Sequence, residues 1–157
     1  MLTDEVKQCL QLRKGLNIVM TVGNRLRRDD GVGSYIASRL CVNEHLVIFD
    51  AETTPESFVD RIIELNPSYL LFIDAANFGG FPGQIRIIHK NQMSDFTLST
   101  HMFPLRAIWE IIEHSISAEI RFIGIQPVDC GFGEELSDDV KHTADDIISL
   151  LNSAYKP

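Results

Sequence analysis

The sequence predicts an α/β fold: a three-layer, doubly wound sandwich with a mostly parallel sheet of about five strands and helices on both faces. Three observations predict it. Short apolar runs at 18–22, 46–49, 69–73 and 120–125 are nearly continuous rather than alternating, as in strands buried on both faces. Segments with apolar residues at helical spacing separate these runs. The first three runs stop at Gly23-Asn24, Asp50 and Asp74, where an open α/β sheet would place its loops. Alternation of this kind gives parallel strands joined by right-handed crossovers. A chain of 157 residues is about one domain, read as 1–157, with 1–16 as an N-terminal helical extension.

Each element has its own signal. Thr3-Asp4-Glu5 is a helix start, because a hydroxyl cap and early acids suit the positive end of the helix dipole. Val6, Cys9, Leu10 and Arg13 share a face, and Gly15 can close the helix in the left-handed conformation. The first strand runs from about Asn17 to Val22. After Gly23 to Gly31, the residues Val32, Tyr35, Ile36 and Leu40 keep helical spacing. Leu46 to Phe49 is a second buried strand. Thr54-Pro55-Glu56 combines a cap, a proline at the first position and an acid, and Asn66-Pro67 stops the helix it starts. Tyr69 to Ile73 is the third strand. Gly79 to Gly83 is a loop. Gln84 to Ile88 is a strand that alternates at first, which suits a sheet edge. Asn91 to His101 has no clean periodicity and is expected to be a mobile surface segment. Pro104 opens an amphipathic helix carried by Leu105, Ile108, Trp109, Ile112 and Ile116. Ile120 to Ile125 is the last core strand, and Ser137-Asp138-Asp139 caps a final helix.

Composition removes several function classes. The net charge of −8 argues against a phosphate-backbone partner, so no nucleic acid is expected. Three cysteines, with no C-x-x-C pair, do not make a disulfide scaffold and suit a reducing, cytoplasmic location. No apolar run approaches the roughly 18 residues of a membrane span, so no membrane insertion is expected. There is no H-E-x-x-H zinc motif, no G-x-S-x-G elbow, no P-loop and no G-x-G-x-x-G.

Four acids fall at the carboxyl ends of the strands, where ligands bind in such sheets. Asp30 follows the first strand, Asp50 ends the second, Asp74 ends the third, and Asp129 trails the last. His101 lies in the loop before the Trp109 helix. Carboxylates gathered at one rim repel one another, and a metal would relieve that. Two carboxylates and an imidazole with open positions suit a borderline divalent ion such as Zn²⁺ or Ni²⁺. Spacing leaves plainer uses open: Asp29 or Asp30 as a helix N-cap, Asp74 as a loop cap, His101 as a surface residue.

At these residues the chain resembles the hydrogenase maturation proteases. The matching motifs, in order, are Gly23-Asn24, Asp29-Asp30-Gly31-Val32-Gly33, Asp74-Ala75, Pro82-Gly83, Ser99-Thr100-His101 and Gly124-Ile125-Gln126-Pro127. The stretches from Pro82 to Ile88 and from Phe122 to Pro127 look most like the branch serving formate-hydrogenlyase-type hydrogenases. The resemblance implies an endopeptidase, a hydrolase that removes a C-terminal extension from the large-subunit precursor of a [NiFe] hydrogenase after nickel insertion. It implies a catalytic and metal-contacting triad of Asp30, Asp74 and His101. The nickel would come with the substrate, and Zn²⁺ or Cd²⁺ could take its place. An assembly chaperone would be a further partner. The chain departs from the pattern twice. Asp30 stands where many members have Glu, and Asp50-Ala51-Glu52 stands where many have Asp-Gly-Gly, which predicts loss of a tight glycine turn. The alternatives are a metal-binding checkpoint or chaperone that does not cut and, more remotely, a small-molecule hydrolase of the same fold class. Arg25, Arg27 and Arg28 form the one basic cluster and could steer an acidic tail.

Overall fold

The structure is a computed structural model that describes residues 2–93 and 102–153. Its core is a five-stranded sheet of β1 (Asn17–Thr21), β2 (Leu46–Asp50), β3 (Tyr69–Ala75), β4 (Ile85–Ile87) and β5 (Glu119–Ile125) in the order β2-β1-β3-β5-β4. The first four in that order are parallel, while β4 pairs antiparallel with β5 at the sheet edge. The helices are α1 (Asp4–Cys9), α2 (Val32–Ala37), α3 (Val59–Leu65), α4 (Met102–Ser115) and α5 (Asp138–Ser153). The expected doubly wound sandwich is therefore present, with strand ends within a residue or two of expectation.

Alternation along the central strands sorts the core into two faces. Val19, Leu71 and Ile73 pack with Val6, Ile36, Val140, Ala144 and Ile147, so α1, α2 and α5 cover one face. Ile18, Met20, Leu70 and Phe72 pack with Ile62, Leu105, Ile108 and Ile112, so α3 and α4 cover the other. All seven residues of β3 are buried, which explains why its sequence is a continuous apolar run up to Asp74. Asp74 is thus an acid near the end of a strand buried along its whole length.

Three local expectations change. The first helix stops at Cys9, where the Leu10 amide already bonds back to the Val6 and Lys7 carbonyls. Gly15, at φ +87°, instead makes the turn into β1, where a Cβ would fall 2.4 Å from the Ser68 hydroxyl. Thr54 does not cap: its hydroxyl donates to the Ala51 carbonyl, and Pro55–Phe58 forms a 3-10 turn before α3 begins. Ser137 directly precedes α5, but its hydroxyl is turned toward Asp29. The backbone of α4 starts at Met102, so Pro104 sits in its first turn. Residues 94–101, which include most of the segment expected to be mobile, lie outside the described residues.

Candidate active site

Parallel strands bring the carboxyl ends of β1, β2, β3 and β5 to one rim, and the acidic corner is built there. The Val22 amide bonds to the Ile73 carbonyl, and the Gly23 amide to the Glu52 carbonyl, so the chain leaving β1 is wedged between the ends of its two neighbours. Only glycine fits at 23. Its φ is +133°, and a Cβ would lie 2.0 Å from the Asp30 carbonyl oxygen and 3.3 Å from Asp74 Oδ1. Gly33 does the same for α2, since a Cβ there would lie 2.8 Å from the Val22 carbonyl oxygen. The two glycines draw the turn that carries Asp30 against the end of the strand that carries Asp74.

Asp29 and Asp30 fall in a 3-10 turn, Arg28–Gly31, and neither caps α2. Consecutive residues of such a turn point about a third of a turn apart. Asp29 points into the loop after β5 and is fully buried. Its carboxylate accepts the Val128, Asp129 and Ser137 amides and the Ser137 hydroxyl. Burial alone would raise its pKa, but these bonds outweigh burial and hold it below the usual carboxylate value. Asp30 is 4% exposed and turns the other way, accepting the Asn24 amide at 2.9 Å.

Asp74 is the anomaly of the rim. It is fully buried, and neither carboxylate oxygen has a hydrogen-bond partner among the described residues. Burial first, then the negative charge of Asp30, pushes its pKa well above the ordinary value of 3.8; the Ala75 amide, nearby but outside hydrogen-bonding geometry, acts in the opposite direction. A buried, unsatisfied carboxylate beside a second one is costly to keep. Such a pair fits a divalent cation, which supplies the missing partner and cancels the repulsion.

The other two rim acids are engaged elsewhere. Asp50 is exposed and accepts the Ser34 and Thr21 hydroxyls. Asp129 accepts the Gly131 amide and faces Arg28 at 3.6 Å. Of the four acids expected there, the structure brings Asp30 and Asp74 together and leaves Asp50 and Asp129 at the margin. His101 lies outside the described residues, and no group of three metal-binding side chains occurs among the described residues. The arginine cluster is also divided: Arg25 pairs with Glu52 and Arg28 with Asp129, while Arg27 is exposed with no ion pair among the described residues.

The turn after β2 survives without its glycines. Glu52 adopts φ +50°, and its carbonyl takes the Gly23 amide. Arg28, across the corner, also has positive φ, at +46°. Left-handed backbone at two non-glycine residues beside the acids is strain held in place by the surroundings. Two residues stand in the matched motifs, but their roles could not be read from sequence. One is Asp29. The other is Gln126, buried at the end of β5, whose Oε1 accepts the Phe78 and Gly80 amides and so shapes the loop after Asp74.

The family model described as hydrogenase maturation protease matches residues 31–154. This chain belongs to the hydrogenase maturation protease family. The hydrogenase 3 maturation protease of Escherichia coli is 31% identical over 138 residues, 86% of this chain and 88% of that protein. Among solved structures, the [NiFe] hydrogenase maturation protease HycI of Thermococcus kodakarensis superposes with a TM-score of 0.83 at 29% identity, covering 96% of this chain and 98% of its own. The endopeptidase HycI of Escherichia coli gives a TM-score of 0.77 at 28% identity, over 88% and 90% of the two chains. The chain is thus a maturation peptidase by family.

Proposed function

We propose that the protein is an endopeptidase that removes the C-terminal extension of a [NiFe] hydrogenase large-subunit precursor, and that nickel already seated in that precursor is what its rim recognises. The observation that carries this is Asp74: a fully buried carboxylate with both oxygens unpartnered among the described residues, next to Asp30. The family supplies the reaction class, a peptidase acting in hydrogenase maturation.

Asp30 and Asp74, with His101 from the segment before α4, would contact the metal. Nickel held there would also act as a Lewis acid toward the scissile carbonyl or a water. The chain's own contribution is to hold two acids in a site that costs energy until a cation arrives. Burial and the charge of Asp30 raise the Asp74 pKa, and a positive charge at the site would act in the opposite direction. An unloaded precursor lacks the atom that pays this cost, so cleavage waits for nickel. Zn²⁺ or Cd²⁺ would compete for the same oxygens. Arg27, the uncommitted arginine of the corner, is placed to meet an acidic stretch of the substrate.

The test is cleavage by Asp30→Asn and His101→Ala variants of nickel-loaded precursor, followed by mass spectrometry. Wild type sheds a C-terminal peptide, and both variants leave the precursor at full length. Cleavage at the wild-type rate by either variant would remove that residue from the triad. A wild-type protein that binds the loaded precursor without cutting it would instead be an assembly checkpoint or chaperone.

A further inference from the structure

Asp29 and Asp30 are adjacent, yet only Asp30 belongs to the acid pair. We infer that Asp29 is a positioning residue for cleavage: its carboxylate locks the loop after β5 to the 3-10 turn and thereby fixes the aim of Asp30 toward Asp74. This inference rests on Asp30 being part of the cleavage site.

Four donors converge on two oxygens. Oδ2 accepts Val128 N at 2.8 Å, Asp129 N at 3.0 Å and the Ser137 hydroxyl at 2.8 Å, and Oδ1 accepts Ser137 N at 2.8 Å. The backbone of the same residue returns the contact, its amide donating to the Asp129 carbonyl at 3.0 Å. Just before it in the chain, Arg28 N bonds the Gly133 carbonyl and Gly133 N bonds the Leu26 carbonyl, both at 2.8 Å. The residue therefore ties residues 26–29 to residues 128–137 at several points, with Asp29 at the buried centre.

Asp30 needs this support. Among the described residues its carboxylate accepts one hydrogen bond, from Asn24 N. Its direction is set mainly by the backbone of the turn, and that backbone is held by its neighbour. Misplacement of a reacting group by about 1 Å can cost 10²-fold in rate. No other side chain of similar size can substitute. Asparagine has one acceptor oxygen, and its NH₂ group would face either three donors at the Oδ2 position or the Ser137 amide at the Oδ1 position.

The experiment compares wild type with Asp29→Asn and Ser137→Ala in the full chain, on nickel-loaded precursor. Melting temperature is measured first, so that rates are taken per folded molecule and well below each transition. Amide exchange at Val128, Asp129 and Ser137 reports the clamp itself. Asp29→Asn is expected to speed that exchange at least 10-fold and to lower kcat at least 10-fold, with KM changed less than about 3-fold. Ser137→Ala, which removes one donor, is expected to lower kcat a few-fold and serves alone if Asp29→Asn does not fold. Faster exchange with kcat unchanged in the folded variants would overturn the inference, leaving Asp29 a stabilising residue only. If wild type itself does not cut loaded precursor, the proposed function falls, and this inference falls with it.

Discussion

Replacing Asp74 by asparagine keeps the shape of the side chain and removes its charge, so the variant isolates what that charge costs. The sign follows from burial and from Asp30, which together hold the folded-state pKa well above 3.8. Below about pH 4, Asp74 is protonated in both folded and unfolded chains and makes no pH-dependent contribution. Above it, the unfolded chain loses the proton while the folded chain keeps it, so stability falls as pH rises, until pH passes the raised value. The slope for one proton approaches about 1.4 kcal/mol per pH unit. An unfolding entropy of about 2.1 cal/mol/K per residue, over 157 residues, is about 0.33 kcal/mol/K, so the slope amounts to roughly 4 °C in Tm per pH unit. The amide's own unmet hydrogen bonds are independent of pH and shift the two curves apart without bending them. Differential scanning calorimetry from pH 4 to 8 should therefore show the variant gaining on wild type as pH rises, by up to about 4 °C per unit within the window. Added Ni²⁺ should raise the Tm of wild type more than that of the variant. Parallel curves across the range, or a variant that loses ground as pH rises, would refute the view of Asp74 as a carboxylate without a partner.

Other positions give further tests. Gly23→Ala, with a Cβ forced 2.0 Å from the Asp30 carbonyl oxygen and an unsuitable φ, should abolish cleavage and lower Tm, read by mass spectrometry and calorimetry. Glu52→Gly should stabilise by about 1 kcal/mol in urea denaturation, because the left-handed backbone at φ +50° costs glycine little and the exposed Arg25 pair contributes little. Cys130 is an exposed residue, but local desolvation of its thiol first, and then the charges of Asp30 and Asp29, push the pKa up to about 11. At pH 8 its thiolate fraction is about 0.1%, against about a quarter for an ordinary thiol, and the higher nucleophilicity of the more basic thiolate recovers only part. Iodoacetamide should label it roughly 20-fold more slowly than a free model thiol, a ratio that peptide mapping can read.

Much of the fold was legible because burial on both faces writes itself as continuous apolar runs. The runs at 18–22, 69–73 and 120–125 became the three central strands, and the alternating start of 84–88 marked the antiparallel edge. Turns were less legible, because several residues can satisfy one geometry. Gly15 suited a helix cap but served a later turn, and Glu52 took a left-handed conformation that its side chain does not advertise. Motif order and strand ends singled out Asp30 and Asp74, and in the structure Gly23 sits against both the Asp30 carbonyl oxygen and the Asp74 carboxylate. The division of labour between Asp29 and Asp30 was not readable, since two adjacent acids look alike until the turn separates their directions. The partners of Asp29, about 100 residues away, leave no local trace. His101 was named by its motif, and its place lies outside the described residues.

In the proposed function, nickel in the substrate, met by Asp30 and Asp74, licenses the cut. The direct measurement is intact-mass spectrometry of large-subunit precursor incubated with the purified protein, with and without nickel loaded. Loss of a C-terminal peptide is expected from the loaded precursor alone, with no loss for Asp74→Asn. Cleavage of nickel-free precursor at the same rate would contradict it.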